Sequence, residues 1–281
     1  MSQQPLTFYD IAMRPPIEQT CGSPNPWKAR LALNFKNTPY TTTWVDLPDI
    51  APLRRKLNVP AGRKFADGSD YYTLPVLYDP ARECHIGDSF DIAVYLHETY
   101  PGSGDRGELF PVLNEDQKLD FDYSATLLIP LSEVTERGKE EAYAEYARFN
   151  IHVDAAFTSH VGLAVQGLKF PIETAAQSQA MFCQRAGVDS WDKFEVSGEA
   201  RTKMIESFKK MLGDLGRLFM RDARGPFILG GKPCYADFIV GGWLRMMSVC
   251  LPGEEWEELR GWHGGLYGRV FEALKEFQEV K

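Results

Sequence analysis

Hydrophobic positions follow two different periods, and the change falls near residue 100. Leu6 to Ile11 (LTFYDI) and Tyr40 to Leu47 (YTTTWVDL) are short, β-branched and aromatic, and read as strands. Tyr72 to Tyr78 (YTLPVLY) reads as a strand interrupted by Pro75, and Cys84 to Ile86 as a further short strand. Between them, Trp27, Leu31 and Phe35 share one face at i, i+4 spacing, which predicts a helix over 27–35. Leu53 to Leu57 predicts a short helix, Gly62 to Asp70 a turn-rich loop, and Ser89 to Tyr100 a helix carrying Ile92, Tyr95, Leu96 and Thr99 at helical spacing. Beyond residue 107 strand signals nearly vanish. Glu136 to Phe149 predicts a charged amphipathic helix. Thr202 to Phe219 carries a one-face stripe of Ile205, Phe208, Leu212, Leu215 and Phe219. Tyr235 to Val249 is apolar nearly all round, which predicts a buried central helix, and Tyr267 to Phe277 predicts a last amphipathic one. Pro101 to Gly107 (PGSGDRG) is small, polar and turn-forming, as a linker is. The order implies an α+β protein: a small mixed domain over 1–100, a linker over 101–112 and an all-helical domain over 113–281.

Composition narrows the function classes. The 281 residues can bury a core without staples. The net charge of −8, with Arg54-Arg55-Lys56 as the longest basic run, argues against a nucleic-acid partner, because phosphate binding needs a basic surface. Five widely spaced cysteines with no CxxC argue against a disulfide framework or a zinc site. No stretch approaches about 20 apolar residues, so no membrane span is expected. The N-terminus lacks the basic and apolar regions of a signal peptide, and the chain reads as soluble and cytoplasmic. Gly225 to Lys232 misses phosphate-loop spacing by one residue and is followed by Pro233 where a hydroxyl belongs. His152 and His160 lack an accompanying carboxylate pattern, so no metal is expected.

Three local features carry chemistry. In Ser23-Pro24-Asn25-Pro26-Trp27-Lys28 each proline pushes the preceding residue toward extended geometry, so a helix begins after Ser23 or after Asn25. Both side chains then lie at its positive end, which favours an anion. Pro75 in Thr73-Leu74-Pro75-Val76 removes a ladder hydrogen bond; it is an edge proline, or a cis bond that turns Leu74 outward. Gly87-Asp88-Ser89 opens a helix whose first N–H groups can take a carboxylate while Asp88 pairs with an ammonium, or else simply caps it.

Together these motifs resemble the glutathione S-transferase superfamily, whose members join a thioredoxin-like domain with a mixed four-stranded sheet to an all-helical domain. Gly230-Gly231-Lys232-Pro233-Cys234-Tyr235-Ala236-Asp237-Phe238 resembles the family's capping box, with Cys234 where Ser or Thr is usual and Asp237 placed to reach the Cys234 N–H. Ser-Pro-Asn-Pro-Trp-Lys together with Trp44-Val45-Asp46-Leu47-Pro48-Asp49-Ile50 is most similar to the fungal, etherase-related members, akin to bacterial β-etherases.

The resemblance implies glutathione as co-substrate. Its γ-glutamyl end would meet Asp88 and Ser89, its cysteinyl backbone Leu74 beside Pro75, its glycyl carboxylate Arg63 or Lys64, and its thiol Ser23, with Asn25 as a second donor. A hydroxyl and a helix N-terminus would hold the thiolate for attack on aromatic electrophiles or aryl ethers. Two alternatives stand beside this: a thioltransferase using Cys21, and a largely non-catalytic binder of aromatic or phenolic ligands. A homodimer is also implied. The chain's surplus length falls in Ala12 to Gly22 and in Glu136 to Glu199, both expected to border the pocket.

Overall fold

Alternation along Leu6–Ile11 buries Leu6, Phe8 and Asp10 on one face and makes this strand, β1, the centre of the first half. The computed structural model describes residues 4–65, 67–100, 102, 106–127 and 131–281. β1 pairs in parallel with β2 (Tyr40–Val45) and antiparallel with β5 (Val76–Asp79), which pairs antiparallel with β6 (Cys84–Ile86). The result is a mixed four-stranded sheet in the order β2-β1-β5-β6. A helix of one turn, α1 (Ile17–Thr20), follows β1. Helices α2 (Pro24–Phe35), α3 (Ile50–Lys56) and α4 (Ser89–Thr99) complete this half. The region expected to be a loop, Gly62 to Asp70, folds as a ribbon of β3 (Arg63–Lys64) and β4 (Asp70–Tyr71). The interrupted strand is shorter than expected: Pro75 has no N–H to give the ladder, and regular pairing begins only at Val76.

The second half is helical: α5 (Ala144–Thr158), α6 (Ala175–Ala186), α7 (Gly198–Phe219), α8 (Tyr235–Cys250) and α9 (Gly253–Leu274). Two expectations need correcting, and one helix was not expected. The helix placed over Glu136 to Phe149 starts at Ala144, because Tyr146, Phe149, Val153 and Phe157 form its buried stripe and the charged stretch before it makes only a turn at Arg137–Lys139. The helix placed over Tyr267 to Phe277 is the second half of α9, broken where His263, Gly264 and Gly265 take left-handed φ; Lys275–Phe277 is a single tight turn. α6 went unread because few large apolar residues mark its face. Most of the linker, residues 101 and 103–105, lies outside the described residues.

α8 is the buried axis. Gly242 lets it meet the start of α2: a Cβ there would stand 2.6 Å from the Pro24 carbonyl. At its other end Asp237, fully buried, accepts from the backbone N–H groups of Ile228 and Cys234, both at 2.8 Å. Burial pushes its carboxyl from the ordinary 3.8 up to about 6 against those two donors. The folded state therefore keeps a proton that the unfolded chain releases at lower pH. Stability contributed through this group falls as pH rises from about 4 to about 6. We expect the stability gap between wild type and Asp237→Asn to narrow across that interval in urea denaturation; a gap that stays constant would contradict the assignment.

Candidate functional site

The site forms where α2 begins. Ser23 has an extended backbone and is the helix N-cap, so the helix starts after Ser23 rather than after Asn25. Its hydroxyl caps no N–H of the helix. Pro24 and Pro26 bring no N–H, and the Trp27 N–H is spent on the Ser23 carbonyl at 3.2 Å. The positive end of α2 is thus presented by the Asn25 N–H, next to the free Ser23 hydroxyl.

Asn25 is oriented from below. Its Oδ1 accepts from Lys28 Nζ at 3.0 Å. Lysine can only donate, so the amide oxygen must face it and the NH2 group faces the other way. Lys28 is 0% exposed, and its remaining donors go to Asn150 Oδ1 at 2.8 Å and Asp154 Oδ1 at 2.5 Å. Trp243 Nε1 donates to the same Asp154 oxygen at 2.7 Å. This network joins α2 to α5 and α8 directly beneath the site. Burial lowers the Lys28 pKa, and the Asp154 carboxylate opposes that shift.

Ser23 and Asn25 line a cleft of about 1060 Å³, counted out to its open mouth, together with Arg63, Tyr71, Thr73 and Leu74. Leu74 precedes the cis bond to Pro75, and its backbone N–H and C=O carry no hydrogen bond to another described residue. Arg54 holds this turn: its guanidinium donates to the Thr73 carbonyl at 2.6 Å and to the Pro60 carbonyl. Gly87 makes room for it, since a Cβ there would stand 2.5 Å from Arg54 Nη2. The opposite wall is apolar and comes from the helical half, with Val161, Val165, Phe170, Phe182 and Met246. Met13 brings the Ala12 to Gly22 loop to the same cleft, so both stretches of surplus length border it.

Of the other candidates, Arg63 lines the cleft, and Asp88, Ser89, Lys64 and Cys21 do not. Asp88 is the N-cap of α4, accepting from the Phe90 N–H at 2.7 Å, and lines a separate, smaller cavity with Ser132, Thr135 and Asn150. Ser89 is buried, and its carbonyl accepts from the Tyr235 hydroxyl at 3.0 Å. Lys64 does not line the cleft; its ammonium pairs with Asp70 on the surface, as the β3–β4 register dictates. Arg63 does line it, and its Nε donates to Ser132 Oγ at 2.9 Å. Cys21 is 2% exposed, and burial pushes its thiol up to about 11. His160 is buried, with Nδ1 against the Ala156 carbonyl and Nε2 against Ser207 Oγ. Among the described residues no helix is long and apolar enough to cross a membrane.

Reading the sequence missed Lys28, Asp154, Trp243 and Arg54. Lys28 stands three residues after Asn25, a spacing that puts both on one helix face. Asp154 is a lone acid among apolar neighbours in IHVDAAF. Neither signal names the partner.

The chain matches two family models: Glutathione S-transferase, N-terminal domain, over residues 22–99, and Glutathione S-transferase, C-terminal domain, over residues 174–277. It is 30% identical to the Glutathione S-transferase-like protein ustS of Aspergillus flavus, over 99% of this chain and 92% of that one. Among solved structures it is similar to glutathione transferase GSTFuA2 from Phanerochaete chrysosporium, with 27% identity, a TM-score of 0.74, and 99% and 100% of the two chains covered. It is also similar to a glutathione S-transferase of Ceriporiopsis subvermispora in complex with glutathione, with 25% identity, a TM-score of 0.77, and 99% of each chain covered. A thioredoxin-like sheet followed by a helical half, a cis proline beside the cleft and likeness over the full length lead to one conclusion: the chain belongs to the glutathione S-transferase family.

Proposed function

We propose that this enzyme activates the thiol of glutathione at Ser23 and directs the thiolate at aromatic electrophiles or aryl ethers. The observation that carries the reading is the Ser23 hydroxyl, which stands at the positive end of α2, caps nothing and faces the cleft beside Leu74. The cysteinyl backbone of glutathione would pair with the free N–H and C=O of Leu74 next to Pro75. Its γ-glutamyl end would lie toward Asp88, Ser89 and the start of α4, and its glycyl carboxylate toward Arg63. Asn25 would add a second donor to the sulfur. Thiolate formation releases the thiol proton to solvent, and the enzyme then needs chiefly to hold the electrophile in line. The apolar wall supports an aromatic partner. The division at 1–100, 101–112 and 113–281, a homodimer and a cytoplasmic setting belong to the same reading.

The Cys21 thioltransferase alternative is disfavoured because that thiol is buried and its pKa is raised, so little of the reactive thiolate would exist near neutral pH. Steady-state assays with an activated aryl chloride and an aryl ether separate the readings. Glutathione-dependent turnover that collapses in Ser23→Ala and persists in Cys21→Ser is expected. Loss in Cys21→Ser with survival in Ser23→Ala would favour the thioltransferase. Tight binding of aromatics with no turnover in wild type would favour a binding protein.

A further inference from the structure

The cleft carries two positive charges where its two sides meet at Tyr71, in a chain whose net charge is −8. Arg63 and Arg185 both line the cleft, whereas the acid among its lining residues is Asp154. That carboxylate is already matched by Lys28 and Trp243. Arg185 sits in the last turn of α6, three residues after Phe182. Its guanidinium carbon lies 4.7 Å from the centre of the Tyr71 ring and 5.7 Å from that of Phe182. Arg63 lies over the same Tyr71 ring at 5.8 Å. No carboxylate among the described residues pairs with Arg185; burial lowers its pKa, its hydrogen bond and charge interaction with Tyr71 oppose that shift, and the neighbouring Arg63 charge adds to it. Two guanidiniums around one tyrosine repel each other, while the ring faces attract both. Arg185, which lines the cleft with no carboxylate partner among the described residues, could take an anion there, and guanidinium matches a carboxylate in a two-point fork.

We propose that Arg185 binds a carboxylate on the electrophilic co-substrate, so that the acceptor class is an aromatic carboxylate rather than a neutral arene. This rests on the glutathione reading above, in which the glycyl carboxylate takes Arg63. The guanidinium of Arg185 belongs to the other partner's side of the cleft: it shares α6 with Phe182, which lines the apolar wall. The ring of the acceptor would lie along Tyr71 and Phe182 with its carboxylate on Arg185 and its reactive carbon toward Ser23. With a chloronitrobenzoate, the thiolate sulfur forms the C–S bond at the carbon bearing chlorine, and chloride leaves with the C–Cl electron pair. The thiol proton has already passed to solvent.

The test pairs 4-chloro-3-nitrobenzoate with its neutral amide, and 3-nitrobenzoate with 3-nitrobenzamide as unreactive ligands. Wild type should prefer the carboxylate in kcat/KM, and in binding followed by tryptophan fluorescence, by about 10-fold or more, the scale of one charge-assisted pair. Arg185→Gln should erase that ratio, and Arg185→Lys should restore part of it. Equal handling of carboxylate and amide by wild type, which needs no variant to fold, would overturn the proposal. So would a ratio that survives Arg185→Gln. A KM for glutathione that rises in Arg185→Gln, while that for γ-glutamylcysteine does not, would assign the guanidinium to the glycyl carboxylate and overturn it as well. Carboxylate preference in binding with no glutathione-dependent turnover of either acceptor would leave the anion site standing and sink the transferase reading instead.

Discussion

Replacing Lys28 by methionine should cost about 3–5 kcal/mol of stability, the usual scale for stripping one partner from a buried ion pair. The ammonium is 0% exposed and gives each of its three donors to a protein acceptor: Asn25, Asn150 and Asp154. Without it, the Asp154 carboxylate stays buried with the Trp243 N–H as its remaining partner, and two amide oxygens lose their donor. The loss should be smaller when the charge on the other side is removed too, so Lys28→Met with Asp154→Asn should be more stable than Lys28→Met alone. Denaturation in urea across the double-mutant cycle measures this coupling directly. A single variant that loses less than about 1 kcal/mol would mean that the network is not closed in solution. The same substitution should also weaken catalysis, because it frees the Asn25 amide to rotate away from the cleft.

Ser23→Ala should lower kcat/KM by about 10–100-fold at neutral pH. A hydrogen bond to a charged acceptor is worth about 1.5–3 kcal/mol, and here it would be made to the thiolate and not to the neutral thiol. The pH profile distinguishes this from loss of packing. In the wild type, activity should rise with pH through a lowered thiol pKa. In Ser23→Ala that rise should move up by about 1–2 pH units, so the two enzymes converge once glutathione ionises without help. A rate deficit that is constant across pH would show that the hydroxyl acts otherwise. Asn25→Ala should shift the profile less, since its contribution is one amide donor.

How much of this was legible depends on whether the cause is local. Alternation in Leu6–Ile11, the Ser-Pro-Asn-Pro-Trp-Lys helix start and the interrupted strand at Pro75 are local patterns, and the first half of the fold follows from them. α5 was misplaced by several residues because charge in the stretch before Tyr143 mimics an amphipathic helix, while the buried stripe that anchors it lies further on. α6 was missed for the opposite reason. Its face is carried by small and polar residues, with Phe182 and Arg185 meaningful only once Tyr71 is opposite them. In the site, Ser23, Asn25, Leu74 and Arg63 could be proposed from sequence because each sits in a short motif. Lys28 and Asp154 are 126 positions apart, and only the packing of α2 on α5 makes them partners. Lys64 and Arg63 are adjacent in sequence, yet strand alternation sends one to the surface ion pair with Asp70 and the other to the cleft.

The most direct test of the central claim is a pH titration of glutathione bound to the enzyme, followed by the ultraviolet absorbance of its thiolate. Bound to wild type or to Cys21→Ser, the thiol should ionise well below the value of about 8.5 usual for a free cysteine. Bound to Ser23→Ala it should return toward that value. A bound thiol that ionises at the same pH with and without the Ser23 hydroxyl would contradict the account.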